Sequence, residues 1–185
     1  MWIFYTIYIL WIASEVFLSA SRRSEKADSE NTDKGSLKLI WIIIVIANAL
    51  AYWVVQQIPL PILTNPVIGY VGLALIVIGM ILRFASIASL GKFFTVNVTI
   101  LEDHKLKQDG FYKYVRHPSY SAALLSFVGY GVSLNNWLSV AIVTLAASTV
   151  FLVRIGIEER ALTDHFGEEY INYKKKTKRL IPFVY

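Results

Sequence analysis

Cysteine is missing from all 185 residues, which excludes a disulfide framework, a thiolate metal site and a cysteine nucleophile. Histidine is scarce, and His104, His117 and His165 stand in neither HxxxH nor HExxH spacing. No two of them share a helical face as metal ligands would, so no metal is expected. Charged residues are few, at 17% against 56% hydrophobic, a balance too oily for an ordinary soluble domain and suited to one compact membrane domain over 1–185. No internal repeat is visible. The net charge of +5 is no argument for nucleic acid, and no such partner is expected. A membrane protein carries cationic flanks in any case, so the location of the charges matters more than their sum.

What is present is a series of long apolar runs. Stretches near the length of about 20 residues that crosses a hydrocarbon core lie at 2–20, 37–58, 67–90, 119–134 and 137–157. The expected fold class is all-α: a polytopic membrane protein with five transmembrane helices. Prolines in "IPLPILTNP" separate the second and third runs, because proline cannot continue a helix. Asn135 and Asn136 make a turn, so the fourth and fifth runs read as an antiparallel hairpin. Gly69, Gly72 and Gly79 lie along the third run and let helices approach closely. The first run has neither the basic n-region nor the A-x-A site of a cleaved signal peptide and is expected to be retained.

The cations give an orientation. Arg22, Arg23, Lys26 and Lys34 fall between the first two runs; Lys92, Lys105, Lys107, Lys113 and Arg116 between the third and fourth. Arg160, Lys174, Lys175, Lys176, Lys178 and Arg179 follow the fifth, and the connections at 59–66 and 135–136 carry none. The positive-inside rule then places the N-terminus outside and the C-terminus in the cytosol. The polar loop "SRRSEKADSENTDKGS" is charge-balanced and carries no evident chemistry. Near the C-terminus, Leu162, Phe166, Tyr170 and Tyr173 recur at three or four, predicting an amphipathic cytosolic helix that lids the polar residues. The adjoining "KKKTKR" reads as a tether to anionic lipid, each cation contributing about 1 kcal/mol.

The polar residues gather on that cytosolic side. In "GFYKYVRHPSY", Pro118 suits the first turn of a helix, whose open amides and dipole form an anion site beside Arg116 and His117. Tyr112, Tyr114 and Tyr120 add ring faces and hydroxyls. A membrane-interface belt with no ligand is the competing reading of this stretch. Arg154 and Glu158 are four apart, hence on one helical face, and a simple surface ion pair would explain them equally. Arg154, however, lies inside an apolar run, where charge usually marks a working site. Hairpin pairing of the last two runs brings Arg116, His117 and Tyr120 towards Arg154 and Glu158. Arg83, in the third run, either snorkels to the headgroups, the favoured reading, or faces this pocket.

These residues resemble the isoprenylcysteine carboxyl methyltransferases, a family of small integral-membrane enzymes. The likeness rests on "DGFYKYVRHPSY", the glutamate pair of "RIGIEERAL" and "HFGEEYINYKKKTKRLIPF", within a cofactor region spanning 91–183. The resemblance implies methyl transfer from S-adenosylmethionine, leaving S-adenosylhomocysteine, to the C-terminal carboxylate of a prenylated cysteine entering from the bilayer. It further implies a cofactor pocket unlike the glycine-rich soluble one, built from Asn97, His104, Lys105, Leu106, Lys107, Tyr112, His117, Pro118, Ser119, Tyr120 and Glu158. Lys105 and Lys107 stand where the family often has small or apolar residues. Arg154 and Glu158 are the implied catalytic pair, with Arg154 facing the acceptor; Arg83, if it faces the pocket, is a further candidate for binding the acceptor, and a monomer is expected.

The chemistry of the residues agrees with this. Glu158 can balance a sulfonium, and Arg154 can grip a carboxylate through two parallel bonds. The acceptor carboxylate is ionised at neutral pH, so alignment rather than a strong base is required. Three other readings stay open on the sequence: a phospholipid or other lipid methyltransferase, an NADPH-dependent sterol-type reductase, and a non-catalytic membrane lipid-binding protein.

Overall fold

The computed structural model describes residues 2–21, 34–94 and 105–182, all within six α-helices and their connections. These are α1 (Trp2–Ser21), α2 (Lys34–Gln57), α3 (Val67–Leu90), α4 (Pro118–Ser133), α5 (Trp137–Phe166) and α6 (Glu168–Lys176). Short 3-10 turns occupy Gly91–Phe93 and Gly110–Lys113. Among the described residues there is no strand, only an isolated parallel bridge between Val115 and Lys178.

Four helices, α1, α2 over Lys38–Gln57, α3 and α5, are long and apolar enough to cross a membrane. The run expected to be a further crossing forms α4, which has only 16 residues. At about 1.5 Å per residue it is shorter than a hydrocarbon core of about 30 Å. Helix α5, with 30 residues, instead continues past the expected end at 157 to Phe166.

Small residues set the closest contact of the fold, between α3 and α4. A Cβ on Gly72 would collide with the Ser133 backbone, and one on Gly79 with Ser126 and the Ala122 carbonyl. Gly129 on α4 answers them, its own absent Cβ lying 2.8 Å from the Gly72 carbonyl. Around this seam, Trp11, Leu73, Ile76, Phe127, Tyr130 and Phe151 fill the core. Residues such as Phe17, Ile46, Ile81, Leu145 and Val153 are exposed on the outside, as suits a surface solvated by lipid rather than water.

The α4–α5 turn does more than reverse the chain. Asn135 takes a left-handed conformation (φ 51°), and its side-chain oxygen accepts from the amides of Ile62 and Leu63. Asn136 caps α5 by accepting from Ser139 N–H and donates to the Ile58 carbonyl at 2.7 Å. The two asparagines, with Trp137 N–H on the Leu60 carbonyl, therefore satisfy much of the backbone of the proline-rich connection.

At the other end, the apolar series Leu162, Phe166, Tyr170 and Tyr173 is divided between two helices. Gly167 (φ 52°) ends α5, and α6 departs from it with Tyr170 and Tyr173 buried. The chain after α6 then lies along 114–117. Arg116 N–H donates to the Lys178 carbonyl at 2.8 Å, and Lys178 N–H to the Tyr114 carbonyl at 3.1 Å. The basic tail is thus partly built into the fold, while Lys175, Lys176 and Lys178 stay exposed.

Candidate functional site

A cavity of about 190 Å³ opens at this end, and every helix contributes to its wall. The first wall is the entry to α4. His117 is its N-cap residue and Pro118 its first helical position, and the His117 ring is almost wholly buried. Proline has no N–H, and the Tyr120 and Ser121 amides both bond the His117 carbonyl, at 3.1 and 3.2 Å. The anion site expected at this turn therefore has fewer open amides than a helix start usually offers. Tyr112 packs beneath, its hydroxyl donating to the Ser86 carbonyl and its own carbonyl accepting from Tyr173 at 2.6 Å. Burial pushes the Tyr112, Tyr170 and Tyr173 phenols above their ordinary pKa.

The adjacent glutamates of α5 have different surroundings, because successive helical residues point about 100° apart. Glu159 is buried and receives Arg116 Nε at 2.9 Å and Arg179 Nη2 at 2.8 Å, with His117 Nε2 at 3.4 Å. Arg116 also donates to the Thr177 carbonyl at 2.5 Å. This cluster ties α4, α5 and the C-terminal segment together. Glu158 lines the cavity instead, a third exposed, with its carboxylate 3.8 Å from His117 Nδ1. One turn earlier, Arg154 is buried, lines the same cavity and lies against the Tyr120 hydroxyl.

Arg83 faces the cavity and does not snorkel to the headgroups, contrary to the favoured expectation. Its Nη1 donates to the carbonyl and hydroxyl of Ser119 at 3.0 and 3.1 Å, and its Nε lies 2.7 Å from Glu15 Oε1. A carboxylate partner and a fixed acceptor inside the fold outweigh the reach to the membrane surface.

The structure thus brings Arg83, Leu106, Lys107, Tyr112, His117, Pro118, Ser119, Tyr120, Arg154 and Glu158 to one cavity. Lys105 is exposed and is not part of the wall, and the Lys107 ammonium is 2.7 Å from Asp109. Asn97 and His104 lie outside the described residues. Sequence reasoning missed Glu15, although it is the sole charged residue of α1 and so carried a readable signal. It also missed Tyr170, whose buried hydroxyl has no hydrogen-bond partner among the described residues and lies in the cavity wall. The α2 residues Ile40, Trp41 and Ile44, which with Phe127 and Phe151 make the cavity partly apolar, gave no signal beyond hydrophobicity. Among the described residues, no group of histidine and carboxylate side chains could hold a metal ion.

This is an integral membrane protein, all-helical where described, with a cavity bearing ionic groups on one side and aromatic and aliphatic ones on the other. More narrowly, the chain belongs to the isoprenylcysteine carboxyl methyltransferase (ICMT) family, whose model matches residues 71–164. A probable protein-S-isoprenylcysteine O-methyltransferase of Oryza sativa subsp. indica is 37% identical over 119 residues, covering 63% of this chain and 62% of that protein. Protein-S-isoprenylcysteine O-methyltransferase B of Arabidopsis thaliana is 37% identical over 115 residues, covering 61% of this chain and 58% of that protein. The chain therefore spans about three-fifths of the length of these plant relatives. A solved structure of the eukaryotic intramembrane Ras methyltransferase ICMT superposes with a TM-score of 0.68 at 23% identity, covering 96% of this chain and 67% of that one, a similarity of fold.

Proposed function

We propose that this protein transfers a methyl group from S-adenosylmethionine to the C-terminal carboxylate of a prenylated cysteine. The observation that carries the reading is the single cavity in which Arg83 and Arg154 share a wall with Glu158 and His117, continuous with the apolar side chains of α2, α4 and α5. That gradient suits a substrate with an anionic end and a hydrocarbon tail. Membership of the family and the names of its relatives support the same chemistry.

The donor set fits S-adenosylmethionine. The Tyr170 hydroxyl is buried without a partner among the described residues, and Glu158 presents a carboxylate to the cavity. Tyr112, His117, Pro118, Ser119, Tyr120, Leu106, Lys107 and Glu158 would hold the cofactor, joined by Asn97 and His104, whereas Lys105 lies off the wall. When bound, the cofactor supplies a methyl group made electrophilic by the neighbouring sulfonium. Glu158 balances the positive charge, and the buried His117 keeps its carboxylate facing inward. Arg154 and Arg83 orient the acceptor carboxylate, which is already ionised at neutral pH. No base has to remove a proton. The rate gain comes from alignment in a site screened from water.

In the membrane, α4 completes five crossings by packing its short length between α3 and α5. The N-terminus lies outside, and the cavity mouth, α6 and the tail lie in the cytosol, a reading the cation distribution supports. In this arrangement α6 lids the cavity, Lys175, Lys176 and Lys178 meet anionic lipid, and the protein acts as a monomer.

The test is incubation of detergent-purified protein with methyl-labelled S-adenosylmethionine and a panel of prenylcysteine and phospholipid acceptors. Alkali-labile label on the prenylcysteine is the expected product, since a methyl ester hydrolyses in base. Alkali-stable label on a phospholipid amine, or absence of cofactor binding, refutes the reading.

A further inference from the structure

We propose that Glu15 is a positioning residue for the methyl acceptor, holding the Arg83 guanidinium inside the cavity where it can meet the acceptor carboxylate. This rests on the function proposed above. Glu15 lies in α1, outside the stretch shared with the family model.

Arg83 sits in α3, seven residues before the helix ends at Leu90. A long cationic side chain so placed has two destinations. It can extend towards the headgroups with its stem in the hydrocarbon, the ordinary outcome for arginine near a helix end. Alternatively it can turn inward, which demands a counter-charge and bonding partners in a medium that supplies neither. Glu15 supplies the counter-charge: its Oε1 is 2.7 Å from Arg83 Nε, and each side chain is only 16% exposed. Ser119 supplies the partners, its carbonyl and hydroxyl both receiving Arg83 Nη1. The Nε contact is ionic and not an aligned hydrogen bond, so the two Nη1 bonds to Ser119 orient the planar guanidinium while Glu15 supplies the counter-charge.

The orientation bears on the acceptor. Arg83 on α3 and Arg154 on α5 line the cavity together with Tyr120 and Glu15. Two cations converging without compensation would repel. The Glu15 carboxylate offsets one of them, so both can stay inward. The need is mutual, since Glu15 is the one charged residue in a 20-residue apolar helix. A bare anion there would be costly. Helix α1 packs on α3, which keeps the two in register.

The experiment compares wild type, Glu15→Gln, Arg83→Gln and the double variant, in detergent. It measures kcat and KM for N-acetyl-S-farnesylcysteine, direct binding of that acceptor by tryptophan quenching without donor, and donor binding by calorimetry. Glu15→Gln should weaken acceptor binding and raise its KM at least about tenfold, as expected when a desolvated charge pair is broken. Donor affinity should stay unchanged. In the Arg83→Gln background, the Glu15 change should have no further effect on acceptor binding. Wild-type acceptor affinity in Glu15→Gln, whatever its melting temperature, overturns the proposal and leaves Glu15 a structural anchor. Equal weakening in both backgrounds also overturns it. If Glu15→Gln does not fold, Glu15→Asp keeps the charge with a shorter reach. A raised acceptor KM with unchanged donor binding then supports the proposal, and an unchanged KM refutes it. Wild type that neither binds nor methylates the acceptor overturns the functional reading itself, a result separate from any behaviour of the variants.

Discussion

Two adjacent glutamates make a sharp test of how the site is built. Glu159→Gln removes the charge on which Arg116 and Arg179 converge. Leaving a buried cation without its partner typically costs about 3–5 kcal/mol. Arg116 keeps its bonds to the Thr177 and Lys174 carbonyls, and Arg179 is a third exposed and contributes little. The lower end, about 3 kcal/mol, is therefore appropriate. For a chain of this size that corresponds to a melting temperature about 6–12 °C lower. The loss should be concentrated in the C-terminal segment, because Glu159 fastens Arg179 while Arg116 fastens 174–177. Thermal unfolding in detergent, with trypsin cleavage at Lys178 and Arg179 as a local probe, measures both effects. Glu158→Gln, one residue earlier but in the cavity wall, should melt within about 1 °C of wild type and keep a protected tail. If Glu159→Gln melts like wild type with the tail equally resistant, the buried ionic cluster does not hold this end together. Equal destabilisation by Glu158→Gln would show that the division of labour is wrong.

Glu158→Gln should instead weaken S-adenosylmethionine binding at least about tenfold by calorimetry, since it removes a charged partner of the ligand; unchanged affinity would rule out its assigned role. Gly79→Val should cost about 1–3 kcal/mol by overpacking the α3–α4 seam, whereas Gly156→Ala, whose added Cβ meets nothing within 4 Å, should be neutral or slightly stabilising. Thermal shift of both variants checks the contrast, and equal loss in the two would refute close packing as the cause. Burial raises the native pKa of the Tyr112, Tyr170 and Tyr173 phenols. Their contribution to stability is thus complete below the unfolded value of about 10 and is lost as pH rises from there through the raised native values. Melting temperatures that stay flat across that alkaline range would contradict it.

Much of this site could be read along the chain. The i,i+4 spacing of Arg154 and Glu158, with a two-residue turn joining α4 and α5, puts His117 near Glu158 on geometry alone. The breaks at 58–66 and at Asn135 were equally legible, because proline and a turn-forming asparagine pair act through local backbone chemistry. The end of α5 was not. The apolar repeat from Leu162 to Tyr173 is continuous at helical spacing, but Gly167 takes a positive φ and divides it between two helices. Periodicity reports which residues are apolar and cannot see one glycine turning the axis. Nor did the asparagines reveal their bonds to the Ile58–Leu63 backbone, a contact formed only when the chain returns from far away.

The amino-acid order by itself determined that this is a helical membrane protein, where its apolar runs lie, and that its ionic residues collect at one end. Hydrophobicity and backbone restriction act over a few residues and need no partner to be expressed. Tertiary structure alone decided that Arg83 turns inward to Glu15 and that Glu159 is consumed in an internal ionic cluster. Each of these depends on which neighbour a side chain meets in a medium of low polarity. Unpaired charge is so costly there that partners distant in the chain determine the outcome.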